Sequence, residues 1–193
     1  MQINANTAMI DNDFLDHATS MEVSCDEITR ILKEIFDELN VEPMIHPLVM
    51  QNEVLRDSVK IKTVFSQDII KTPTLEDIHH NDPDRISYYS FLVLELYKKL
   101  TGYELEMGEA TVFTFWKRRI SLGEIHSLSA CLLCGCGVFL SDDKDAKKIK
   151  DIIKESFNTD IAVHNRKAVV TLLREKGTML SRRALQSFAH SAR

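Results

Sequence analysis

Short apolar runs alternate along this chain with longer segments whose apolar residues recur at helical spacing. That alternation limits the fold more than any other feature. Thr7 to Ile10 reads as a buried strand that delivers Asp11 at its C-terminal end. Ser24 then opens a helix, with Glu27 three residues on as a capping box. Ile28, Ile31, Leu32, Ile35, Phe36 and Leu39 form its apolar stripe, and Glu42-Pro43 is expected to end it. Pro47 begins another helix, expected to carry Leu48, Val49, Glu53, Val54 and Leu55. Ile61 to Phe65 fits a short strand or a helix extension, and Tyr88 to Leu100 a helix closed by Gly102. Ala110 to Arg119 reads as helical.

The signals sharpen after Ser121. Ser121 and Glu124 fit a second capping box, on a helix stopped by Gly135. Val138 to Leu140 is a strand, Ser141-Asp142 starts a helix, and Ile161 to Val163 is a strand. Arg166 to Lys176 is a helix ended by Gly177, and Ser181 caps a last, basic helix. Strands alternating with helices predict an α/β fold: a central parallel sheet flanked by helices in three layers.

A length of 193 residues suits one domain, and 44% hydrophobic with 27% charged residues excludes wholesale disorder. The net charge of −5 excludes a highly basic nucleic-acid coat. The charge is uneven, however. Lys144 to Arg193 holds 12 Lys/Arg against 5 Asp/Glu, a balance of +7 that leaves −12 for the preceding residues. Such an acidic bulk with a basic end could hold a polyanion, or present solvated helix faces. No segment approaches the ~18 apolar residues of a membrane span, and Met1 to Ile10 lacks the pattern of a signal peptide. Cys131, Cys134 and Cys136 fall within six residues, a poor disulfide framework. With Cys25 they read as reduced thiols of a cytoplasmic protein, and as core packing rather than zinc ligands.

Four acidic spots stand out. Asp11, with Asp13, follows a strand; Glu53 lies in an otherwise apolar helical stretch; Glu124 lies in the first turn of a helix; Asp142 and Asp143 follow another strand. Each has a bland account as a helix cap, a dipole partner or a solvent-facing side chain. Taken together and in order, they suit a hard cation such as Mg²⁺ or Mn²⁺, which takes oxygen ligands. In phosphate-cleaving sites such ions activate water and stabilise the leaving oxygen. Lys117-Arg118-Arg119 could grip an RNA backbone beside such a cluster. His79-His80 with Asp82 and Asp84 is expected to be a solvated turn, and His126 a helix-surface residue.

The chain resembles the PIN-domain family of metal-dependent ribonucleases, which includes the VapC-like toxins. The resemblance rests on Ile10-Asp11-Asn12-Asp13-Phe14-Leu15, on His46-Pro47 to Leu55, and on the run from Gly123-Glu124 through Gly135 and Val138-Phe139-Leu140 to Ser141-Asp142-Asp143. Asp13 stands where the family pattern has Asn. The resemblance implies a single PIN-like domain over 1–193, with a longer helical insertion around 60–119 and a basic C-terminal extension over 165–193. It implies a divalent-metal-dependent ribonuclease with Asp11, Glu53, Glu124 and Asp143 as catalytic, metal-site acids. Asp142 is the competing register for the fourth acid, and Ser141 would hydrogen-bond near the site. It also implies an RNA substrate, a small antitoxin partner and a homodimer.

Two other readings fit. Asp11-Asn12-Asp13 is similar to the Asp-x-Asp of haloacid-dehalogenase phosphatases, with Asp11 as nucleophile. A non-catalytic PIN-fold binding module also suits the sequence.

Overall fold

The computed structural model describes residues 3–54, 59–105, 109–116 and 121–190. The first half comprises β1 (Thr7–Ile10), α1 (Asn12–Thr19), α2 (Cys25–Leu39), β2 (Glu42–Ile45), α3 (Pro47–Asn52), α4 (Val59–Ser66), α5 (Leu75–His79) and α6 (Pro83–Thr101). The second half comprises α7 (Glu109–Thr114), α8 (Leu122–Cys134), β3 (Val138–Leu140), α9 (Lys144–Phe157), β4 (Ala162–His164), α10 (Arg166–Lys176) and α11 (Arg182–His190). The four strands form one parallel sheet in the order β2-β1-β3-β4. The predicted α/β class and three-layer arrangement hold. No described helix is long and apolar enough to cross a membrane.

The sheet is buried on both faces because successive side chains of a strand point opposite ways. Ala8 and Ile10 of β1 join Ile45 and Leu140 in a core with α1, α2, α10 and α11. Met9 joins Met44 and Phe139 in a second core with α6, α8 and α9. From β1 the chain goes first to β2 on one side and later to β3 on the other. The switch point therefore lies between the carboxyl ends of β1 and β3, where open parallel sheets place their ligand sites.

Glu42-Pro43 does not end a helix. α2 stops at Leu39, through Asn40 in the left-handed conformation (φ 58°). Glu42 to Ile45 is an edge strand, and Pro43 is tolerated there because an edge needs fewer N–H donors. The outer side of β2 is not left open: Ile45 N–H donates to Lys71, and Lys71 N–H donates to Pro43. Ile61 to Phe65 belongs to helix α4. The two basic helices pack as part of the molecule, with Phe188 of α11 edge-on to Phe14 of α1 at 5.7 Å between ring centroids.

The cysteines are all free thiols, with Cys131 and Cys136 buried in the second core. Burial pushes the Cys131 thiol well up and that of Cys134 to about 11, so both pack as neutral, inert side chains.

Candidate carboxylate site at the switch point

Asp11 is the first residue beyond β1. Its N–H extends the ladder to Leu140 O at 2.8 Å, which fixes it beside the end of β3. Oδ1 accepts from Asn12 N–H at 2.8 Å and caps α1. Oδ2 accepts from the Ser141 hydroxyl at 3.0 Å. Ser141 Oγ in turn accepts from Asp143 N–H at 3.0 Å. Asp143 Oδ1 caps α9 through Asp145 N–H at 2.7 Å. The Asp11 and Asp143 caps are real, and they coexist with an acidic cluster.

Glu124 does not form the expected capping box. The Ser121 side chain makes no cap bond and instead donates to Asp145 Oδ2 at 2.8 Å. That contact fixes the start of α8 against the start of α9. Glu124 itself is 7% exposed and Asp11 3%. Glu53 is not inside α3 but at its C-cap, half-buried against α8. A Cβ on Gly123 would lie 3.1 Å from Glu53 Oε1.

These positions bring together five carboxylates from four segments: Glu124, Glu53 and Asp13 act on Asp11, and Asp143 acts on Glu124 and Asp13. Burial raises the Asp11 carboxyl well above its ordinary range, and Glu124, Glu53 and Asp13 raise it further. Burial pushes Glu124 to about 8, with Asp143, Glu53 and Asp13 adding to the effect. Asp13, at the exposed rim, is also raised, by desolvation and then by Asp143. Among the charged groups that act most strongly on Asp11, all are acids.

Asp142 goes elsewhere. Oδ1 accepts from Arg166 N–H at 3.0 Å, and Oδ2 meets Arg166 Nε and His17 Nδ1. The structure thus turns Asp142 to Arg166 and brings Asp143 to the other acids. Lys117, Arg118 and Arg119 lie outside the described residues. His79 is buried, packs against Phe113, and accepts Asn81 N–H on Nδ1, while Asp82 caps α6.

His126 is not on a helix surface. It is 1% exposed and forms a buried chain with Tyr89 and His46: Tyr89 Oη lies 2.8 Å from His126 Nδ1 and 3.0 Å from His46 Nε2. Nothing along the chain signals this triad, because its members come from three distant helical segments. The same holds for Arg166 as partner of Asp142, 24 residues away. Asp13 was legible, two residues beyond Asp11 in the first turn of α1.

The donor set consists of oxygens and suits a hard cation. Among the described residues, no three such side chains stand close enough together to hold one ion as they lie. Comparison of the chain with family models, with curated proteins and with solved structures gave no match.

Proposed function

We propose that this protein is a divalent-metal-dependent ribonuclease of PIN-like type. The observation that carries the reading is the buried Asp11, set at the switch point and surrounded by Glu53, Glu124, Asp13 and, through Ser141, Asp143. A site that gathers this much like charge at a ligand-binding position calls for a cation. Asp11, Glu53, Glu124 and Asp143 would hold Mg²⁺ or Mn²⁺. When bound, such an ion supplies Lewis-acid charge to a phosphodiester and makes water acidic enough to act as nucleophile at neutral pH.

The chain's own residues divide the remaining work. Ser141 orients Asp11 through Oδ2 and leaves Oδ1 on the start of α1. In the metal-free chain Glu124, with its carboxyl pushed to about 8, holds a proton near neutral pH, and it would release that proton on binding the cation. Asp142, bound to Arg166, holds α10 against the site. A small antitoxin and a second copy of the chain are the partners that the PIN-like reading brings with it.

The test is cleavage of a mixed single-stranded RNA pool with Mg²⁺ or Mn²⁺. Wild type is expected to cleave, EDTA to stop it, and Asp11→Asn and Glu124→Gln each to reduce it to background. A folded wild type that leaves RNA intact in both metals overturns the reading. The phosphatase reading uses the same Asp11 and differs in one product, an acyl-phosphate on that residue. Trapping it during turnover of a phosphomonoester would move the assignment there.

A further inference from the structure

Most of the positive excess of the C-terminal stretch lies away from the carboxylate site, which it meets through Arg166 at Asp142. Its location is specific. Of the described arginines, Arg30, Arg85 and Arg166 are engaged by side chains or carbonyls. Arg174, Arg182 and Arg183 have no such partner among the described residues, and all three lie on α10 and α11.

α10 ends through Gly177 at φ 78°, and Thr178 N–H returns to Leu173 O at 3.1 Å. The chain then reverses and α11 runs back beside α10. Between them opens a groove of about 620 Å³. Among the described residues its polar side chains are Arg174, Thr178, Arg182, Gln186 and His190, and no carboxylate is among them; the loop between the two helices does meet an acid, Glu38 of α2, whose Oε1 accepts from Met179 N–H at 3.1 Å. Arg182, Gln186 and His190 recur every fourth residue, so they share one face of α11. They set a row of donors along roughly 12 Å of helix. The far end of that row lies two residues past Phe188, whose carbonyl accepts from Arg166 Nη1 at 2.8 Å. Arg166 also holds Asp142 beside the carboxylates. The groove is therefore joined, through one arginine, to the end of the sheet that carries the acids.

We propose that the α10–α11 groove binds the phosphodiester backbone of single-stranded nucleic acid. Guanidinium groups match phosphate oxygens in a bidentate way, and unpaired ones need no partner displaced before binding. A row of donors suits a repeated anion better than a single one. The volume is that of a single-ligand cleft, enough for one strand. The site does not depend on the carboxylates being catalytic.

The test uses the full chain in EDTA and a fluorescent single-stranded RNA, with affinity measured across a salt series. Arg174→Gln with Arg182→Gln is expected to weaken binding about tenfold or more and to flatten the slope of log K on log salt by about 1.4, since each phosphate contact on a single strand contributes about 0.7. A second variant, Gln186→Glu, places one negative charge in the groove and is expected to weaken binding without removing any arginine. The control is Lys33→Gln with Lys62→Gln, two exposed lysines of α2 and α4. Circular dichroism confirms that each variant is folded. Three results each overturn the proposal: no RNA binding by wild type, an equal loss in the lysine control, or binding to phosphatidylserine vesicles in place of RNA. Metal-dependent cleavage is read separately, so its absence would remove the nuclease reading and leave this result standing.

Discussion

At the scale of single residues, Gly123 and Glu124 set the terms of the carboxylate site. Gly123 is the point where α8 passes closest to Glu53. An added methyl would sit 3.1 Å from Glu53 Oε1 and 3.4 Å from a Val49 methyl. Alanine is the better helix former by about 1 kcal/mol. Gly123→Ala is therefore expected to keep or raise the melting temperature while weakening Mn²⁺ affinity in calorimetry. An equal affinity would show that Glu53 takes no part in holding a cation. Glu124 makes stability depend on pH. Its carboxyl is raised from 4.5 to about 8 in the folded chain, so its contribution is fully present below pH 4.5 and lost as pH rises through 8. The buried histidines act in the opposite sense. His126 is lowered from 6.5 to about 3 and His46 is lowered well below 6.5, so their contribution is present above 6.5 and lost as pH falls. As pH rises from 6.5 towards 8 the unfolded-state histidines finish titrating and Glu124 comes to dominate. The metal-free protein is expected to lose thermal stability over that interval, Glu124→Gln to flatten the loss, and Mg²⁺ or Mn²⁺ to restore more stability at pH 8 than at pH 6.5.

At the scale of elements, the packing of α3, α6 and α8 depends on one hydroxyl. His46 Nδ1 accepts the Leu48 N–H at the start of α3, so the ring proton of His46 lies on Nε2. That proton is donated to Tyr89 Oη, and Tyr89 donates to His126 Nδ1. His126 then carries its proton on Nε2, which has no partner among the described residues. The directional chain holds both imidazoles neutral, in keeping with their lowered pKa values. Tyr89→Phe keeps the ring and its stacking on Phe113 but leaves two ring nitrogens unpaired in the core. The expected cost is about 1–3 kcal/mol for each nitrogen left unpaired, measured by urea denaturation. A cost near zero would mean that water replaces the hydroxyl.

At the scale of the whole molecule, the basic end is built into the fold. Phe188 is fully buried against Phe14, one turn from Asp11 along the start of α1. Phe188→Ala is expected to cost about 3–5 kcal/mol in a single unfolding transition. Two transitions would show that α10 and α11 form a separate unit. Because α1 starts at Asp11, and Arg166 links Phe188 O to Asp142, the loss is also expected to lower whatever metal affinity the carboxylates have.

The order of elements was open to reading in the sequence because periodicity and capping act locally. Apolar runs, Pro47, Gly102, Gly135 and Gly177 marked strands, helix starts and helix stops without reference to distant residues. β2 was hidden because a four-residue strand that contains proline looks like a break. The acids at the ends of β1 and β3 were visible because each directly follows a short apolar run, but the burial of Asp11 was not. Other features belong to the tertiary structure alone. It decided that Asp142 turns to Arg166 and Asp143 to the acids, that Ser121 binds Asp145 instead of capping α8, and that His126 is buried. Each of these outcomes is settled by partners from segments far apart in the chain, and spacing along a sequence says which residues share a face but not which face meets which.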